Sequence, residues 1–588
     1  MKPSHTPSAN GVPGTRIPAD LDAASWGVLE PYFRELLARP LPDAAALKRW
    51  LLDRSELDAA CSESQANLYI AMTCSTDDAG AQQAYADFIE NVVPRIKPLS
   101  FELDRKLSAA APSLRTPGDG LDVLLRDTTA DVELFRPENV PIETELSKLS
   151  QKYDQIVGAM TVRFDGEEKT LPQMALYQES TDREQREKAW RCVTDRRLVD
   201  REPVEAIFDE MVALRHRVAV NAGFKDFTAF AFKSKHRFDY TPDHCFAFHR
   251  ACEEAIVPVL RRQEEKRKRL LGVDVLRPWD LAVDVRGRGA LRPFSGGREL
   301  MDRSVRTLQR LDARLGKMLL EMGRGDEARG ARDGACLDLD SRKGKAPGGY
   351  QYMRDRSRKP FIFMNAAGTG RDVSTMLHEA GHAFHSMVTV NEPLVAYRHA
   401  PMEFCEVASM SMELLTLEHL GGRDGFYPAE EDFVRAKRQQ LERSISLLPW
   451  IATIDAFQHW IYGHPTHSRQ ERAEAWLSID RRFGSSCSWE GLEEARRFIW
   501  HRQSHIFSVP FYYIEYAIAQ LGALQLWLRS LEDGETAAVD LYLKGLSLGG
   551  SRPLPELFET TGLRFDFGPD TVRRLADRVE AELERLPL

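Results

Sequence analysis

Cysteine is scarce in this sequence: eight residues in 588, with no CxxC pair among them. That excludes a disulfide-stapled scaffold and an array of cysteine-rich zinc modules, and a reducing cytosol is the simpler setting for such a chain. A surplus of basic charge is also missing. Lys and Arg number 80 against 89 Asp and Glu, a net charge of −9, so a general nucleic-acid binder is disfavoured and no nucleic-acid partner is expected. There is no run of about 18 apolar residues, so no membrane-spanning helix is expected. Glycine and proline stand at 38 and 31, ordinary proportions that exclude a fibrous or wholly disordered chain.

What is present is a long, mildly acidic chain with 43% hydrophobic residues, enough for a large helical body or for two or more domains at roughly 100–200 residues each. The first residues, MKPSHTPSANGVPGTRIPAD, lack the apolar stretch of a signal peptide, and residues 1–20 read as a flexible tail. Apolar residues then recur every three or four positions from Trp26 through most of the chain, the period of amphipathic helices. Residues 21–180 read as a helical N-terminal region and 181–588 as a second, larger unit. Two interruptions look like strands. TVRF and TLPQMAL flank a turn at Gly166–Lys169, and PFIFMN is a short apolar run beside Gly and Pro signals. The expected fold is mainly α, with a small β-sheet close to the helix that carries the chemistry.

That helix is RDVSTMLHEAGHAFHSMV. It contains His378-Glu379-Ala380-Gly381-His382, an HExxH sequence. At 3.6 residues per turn the two histidines lie one turn apart on one face, where both imidazoles can reach a single Zn²⁺. Glu379 stands beside the first ligand, in reach of an attacking water. By composition alone such a pattern is expected about 0.06 times in the chain. Asp372 or Ser374 could cap this helix, and Gly381 inside it, unfavourable by about 1 kcal/mol relative to Ala, points to tight packing. A catalytic zinc needs a third protein ligand and one open position. Glu403, Glu406 and Glu413 in PMEFCEVASMSMELL are the candidates, and spacing alone does not choose among them. His385, one turn beyond His382, could be a fourth ligand, a residue supporting the ligands or a packed side chain; the second of these leaves the open position intact.

LHEAGHAFHS, EFCEVASMSMELL and HIFSVPFYYIEYAIAQLGALQLW together resemble the M3 family of zinc metallopeptidases, and within it the oligoendopeptidase F branch, over roughly residues 180–588. The resemblance implies one zinc ion held by His378, His382 and Glu406, with Glu379 as general base and Glu413 supporting the ligands. It makes 181–588 the catalytic region, in a large helical fold with a deep channel for short peptides. In the third block it implies that His505 and Tyr516 contact substrate or stabilise the transition state. Tyr512 and Tyr513 also lie within helical reach of Tyr516, and the division of roles between them is open. The strand before the metal helix could pair with an extended peptide, with Gly348 and Gly349 lining the same cleft.

The activity implied is internal cleavage of short oligopeptides in the cytoplasm, with no membrane partner. The competing readings are a zinc carboxypeptidase or peptidyl-dipeptidase and, in a different class, an inactive peptide-binding zinc protein.

Overall fold

The computed structural model describes residues 15–116, 118–327, 336–342, 345–346 and 348–587; most of the expected N-terminal tail lies outside them. Helices dominate. Five strands are found among the described residues: β1 (Thr161–Phe164), β2 (Glu167–Thr170), β3 (Leu337–Asp340), β4 (Tyr350–Arg354) and β5 (Lys359–Ala366). No helix is long and apolar enough to cross a membrane among those residues.

The chain divides into two compact units, each assembled from three stretches of sequence. The first holds residues 1–133, 292–436 and 522–565; the second holds 134–291, 437–521 and 566–588.

In the first unit, N-terminal helices pack around Phe33, Trp50 and Leu103, none of which retains solvent exposure. The long helix Ala44–Cys74 carries Tyr69 and Thr73 onto the three-stranded sheet, where the Tyr350 ring stacks on Phe363 at 4.8 Å and its hydroxyl lies 2.6 Å from Thr73 Oγ1. The sheet order is β3-β5-β4, with β3 parallel and β4 antiparallel to β5. The run PFIFMN is therefore the middle strand, and its reading as a free peptide-pairing edge is corrected. Its Phe361, Ile362, Phe363 and Met364 are all buried, which explains the unbroken apolar sequence: a strand covered on both faces has no polar alternation. The outer strands are β3 and β4.

In the second unit, β1 and β2 form a hairpin, but the expected turn at Gly166–Lys169 is corrected: Glu167–Thr170 is the second strand, and TLPQMAL is helical from Pro172 onward, through Gln178. The turn is Asp165-Gly166, both with positive φ, the backbone a two-residue hairpin turn requires. The helix Arg201–Asn221 and the helix Pro242–Ala251 bury their apolar faces here. The latter continues through a π-helical turn at Cys252–Ile256 into Val257–Leu271.

Candidate metal centre

The metal helix spans Gly370–Val388, and its start is set by Thr369 rather than by Asp372 or Ser374. Thr369 Oγ1 accepts from the Asp372 backbone N–H, and the Thr369 backbone N–H donates to Asp372 at 2.9 Å. This reciprocal cap satisfies two otherwise orphaned donors, so Asp372 acts as the partner inside the first turn. The helix buries Val373, Met376, Leu377, Ala380 and Phe384. It lies against the second ligand-bearing helix, Met402–Leu415. Gly381 is the point of closest approach: a Cβ there would sit 2.5 Å from the Ala408 carbonyl oxygen and 2.6 Å from Ser409 Cα. A glycine that costs helix propensity thus lets the two helices approach.

This approach brings three donors together. The ligating atoms of His378, His382 and Glu406 all lie within 4.8 Å of one another. Glu406 Oε2 is 3.4 Å from His378 Nε2 and 3.7 Å from His382 Nε2. Two ligands at zinc distances and tetrahedral angles stand about 3.3 Å apart, so the donor set fits such an ion. Ser409 Oγ donates to Glu406 Oε2 at 3.0 Å and fixes that carboxylate. Behind the first imidazole, Glu413 Oε1 lies 2.8 Å from His378 Nδ1. The remaining candidate, Glu403, is buried in the first turn of its helix and is not part of the cluster.

The electrostatics agree with a cation at this point. Burial pushes the His382 pKa down to about 4, which keeps the imidazole neutral, the form that ligates. For His378 burial works in the same direction but is outweighed by Glu406 and Glu413, which raise its pKa; the two carboxylates favour positive charge beside them. Burial raises Glu379 to about 7, with the His378 charge and the Gln351 backbone N–H acting the other way. A carboxyl so tuned can take and return a proton near neutral pH. His385 does not join the donors. It is buried with its ring edge-on to Phe404 at 6.2 Å, and its Nε2 has no hydrogen-bond partner.

Gly348 and Gly349 lead into β4, the strand packed beside the metal helix. Gly348 has φ of +99°, and its carbonyl accepts from Asn365 Nδ2 at 2.9 Å. Gln351 in the same strand reaches Ser386 Oγ of the metal helix at 3.4 Å. The placement of these glycines just ahead of an outer strand was not legible from the sequence.

The part of the third block from His505 to Leu521 belongs to the second unit. Pro510 does not open a helix. It sits between the short helix Ser504–Ser508 and the helix Tyr513–Glu532. Phe511 follows with φ of +61°, a strained conformation for an aromatic residue. Its N–H donates to Gln458 Oε1 at 2.7 Å and its carbonyl accepts from Arg237 at 2.5 Å, while Arg237 also pairs with Glu515 at 2.7 Å. This turn folds His505 among three tyrosines, its ring 5.7 Å from Tyr512, 5.0 Å from Tyr513 and 5.9 Å from Tyr516. Tyr513 is buried and donates to Gln503 Oε1 at 2.9 Å; Tyr512 and Tyr516 keep partial exposure. Gln503 also lies 2.8 Å from His505 Nδ1 and accepts from Trp450. Sequence reasoning missed Gln503, Gln458 and Arg237. The available signal was the buried acid Glu515 inside an apolar helix start, which calls for a cation.

Paired imidazoles with an interposed Glu, completed by a carboxylate from a neighbouring helix, define a metallopeptidase site on a helical scaffold. The chain belongs to peptidase family M3, whose profile matches residues 176–576, and it bears the features of the oligoendopeptidase F branch. It is 26% identical over 312 residues to an oligoendopeptidase F homolog of Borreliella burgdorferi, covering 51% of this chain and 49% of that protein. It is 22% identical over 333 residues to an oligopeptidase of Bacillus subtilis, covering 56% and 47%. The chain thus spans about half the length of the curated relatives it matches. A solved structure of Pz peptidase A with an inhibitor superposes with a TM-score of 0.87 at 28% identity, covering 96% of this chain and 98% of that one.

Proposed function

We propose that this chain is a zinc-dependent endopeptidase that cuts internal bonds of short oligopeptides. The observation that carries the reading is the convergence of His378, His382 and Glu406 with Glu379 between the two imidazoles. Membership of family M3 and the likeness to oligoendopeptidases F support the substrate class.

In this reading His378, His382 and Glu406 hold one zinc ion, since two imidazoles and a carboxylate favour zinc over hard oxygen-seeking cations. The ion supplies Lewis acidity toward the attacking water and the scissile carbonyl. Glu379 removes the water proton and returns it to the leaving amine, which needs the tunable carboxyl that its burial provides. Glu413 holds the tautomer and angle of His378, and His385 packs beneath the ligand face. The outer strand β4, entered through Gly348 and Gly349, offers main-chain groups to an extended peptide. Tyr516 and His505 stabilise the developing oxyanion, Tyr512 contacts substrate, and Tyr513 orients His505 through Gln503. The assignments in this block rest on the family pattern and on the clustering of the four rings. Cytoplasmic action fits the cysteines, none of which is in a disulfide.

The test is product mapping. The purified chain is incubated with short peptides and with a folded protein, with and without a chelator, and products are read by mass spectrometry. Chelator-sensitive internal cuts confined to the short peptides are expected. Stepwise loss of C-terminal residues would instead identify a carboxypeptidase, and no cleavage at full zinc loading a binding protein.

A further inference from the structure

Far from HExxH in sequence, the second unit holds another convergence of metal-binding side chains. Cys245 and His249 are one turn apart on the helix Pro242–Ala251, and Asp455 and His459 are one turn apart on the helix Glu430–Gly463. The ligating atoms of Cys245, Asp455 and His459 lie within 4.8 Å of one another. His459 Nε2 is 3.4 Å from Asp455 Oδ2, the same separation that His378 and Glu406 show in the first unit. We infer that Cys245, Asp455 and His459 form a second binding site for a zinc-class divalent cation, which ties these two helices together.

Three observations carry this. First, the cluster is enclosed: Cys245 and Asp455 have no solvent exposure, and aromatic rings surround His459, with Phe246 at 4.8 Å and Phe511 at 5.0 Å. A carboxylate at that depth needs compensation, yet the ion-pair partners of Asp455 are two imidazoles and no Lys or Arg among the described residues. Second, two polar atoms within the cluster make no hydrogen bond, and His459 Nε2 has only the 3.4 Å ion-pair contact to Asp455 Oδ2. Asp455 Oδ1 and His459 Nε2 are buried with no hydrogen bond, although each belongs to a group that can serve as a ligand. A metal would satisfy both. Third, the carboxylate is already oriented. His249 Nε2 lies 2.8 Å from Asp455 Oδ2, a supporting contact of the kind that accompanies metal ligands.

Charge and donor type identify the occupant. A divalent cation with one thiolate and one carboxylate is neutral overall, which suits a dry interior. Sulfur and imidazole donors select zinc and its transition-metal neighbours over magnesium or calcium. The ring of His459 packs on Phe511, the residue with strained backbone next to Tyr512, so occupancy would steady that turn.

Cobalt tests the site directly, because a thiolate on Co²⁺ gives a near-ultraviolet charge-transfer band that His and Glu ligands do not. The chain is stripped with a chelator and reloaded with Co²⁺ or Zn²⁺, and the metal is counted. Two ions per chain are expected, with the charge-transfer band present. The doubly substituted H378A/H382A chain should keep one ion and the band; C245A should keep one ion and lose the band. The readout is independent of peptide cleavage, so it stands whether or not the first site proves catalytic. One ion per chain at saturating metal, with no thiolate band in the unsubstituted chain, would overturn the inference whether or not C245A folds.

Discussion

Glu413 Oε1 lies 2.8 Å from His378 Nδ1, and this contact leaves Nε2 as the nitrogen that faces His382 and Glu406. A carboxylate behind a ligating imidazole fixes its tautomer and raises its basicity. In the proposed site, Glu406 and Glu413 of the helix Met402–Leu415 thus have different tasks although they sit seven residues apart on one face: Glu406 is a donor and Glu413 holds a donor in place.

Replacing Glu413 by Ala should therefore weaken zinc affinity by about 10–100-fold while leaving the three donors intact. Competition with a chromophoric chelator measures it. The Gln variant, which can still accept from Nδ1–H, should recover part of the loss.

In the proposed mechanism Glu379 has a separate role and should show a separate signature. E379Q is expected to retain zinc and peptide binding while kcat falls by about 10²–10⁴-fold, the range for loss of a general base. Metal analysis and steady-state kinetics on one preparation check both halves. An E379Q chain with full activity would remove Glu379 from the mechanism.

Gly381→Ala tests the close helix approach. The added Cβ would meet the Ala408 carbonyl at 2.5 Å, and neither backbone can yield without separating Glu406 from the imidazoles. Overpacking should destabilise by about 1–3 kcal/mol despite alanine's better helix propensity. Thermal unfolding should show a lowered midpoint, and zinc affinity should fall with it.

The acid limb of stability should depend on Asp280. It has no solvent exposure and accepts from Arg183 at 2.8 Å, Arg186 at 3.1 Å and the Arg277 backbone at 3.0 Å. Burial alone would raise its pKa, but the hydrogen bonds from Arg183, the Arg277 backbone and Arg186 outweigh it and hold the group below the usual carboxylate range. A depressed native pKa stabilises the fold above the unfolded value of about 3.9, and that stability is lost as pH falls through the native one. D280N should be destabilised by about 3–5 kcal/mol at neutral pH, since it leaves buried guanidinium charge uncompensated, and its stability should change less between pH 5 and acid. Urea unfolding across that range checks the sign.

How much of this was readable from sequence differs by element. The pairing of His378 and His382 was legible because helical period alone puts them on one face, and Glu379 because it completes the HExxH pattern. Choosing Glu406 over Glu403 required the resemblance, since it depends on how two helices cross, which Gly381 and Ala408 decide. The cap at Thr369 was missed by one turn because Asp372, a good capping residue in isolation, serves here as the reciprocal partner. PFIFMN was legible as a strand but not as the middle one, for a run buried on both faces carries no mark of its neighbours. The turn at Phe511 was invisible, because positive φ at an aromatic residue is imposed by Gln458 and Arg237 from distant segments. Cys245 and Asp455 are 210 residues apart in sequence, and no local pattern joins them.

The most direct test of the central claim is a cleavage assay on one short peptide with mass-spectrometric product identification, run on the zinc-loaded, chelator-stripped and zinc-restored chain. Internal cuts that vanish on stripping and return with one equivalent of zinc in the high-affinity site, but not in H378A/H382A, are the expected result. Internal cleavage that persists in H378A/H382A or survives complete removal of metal would contradict it.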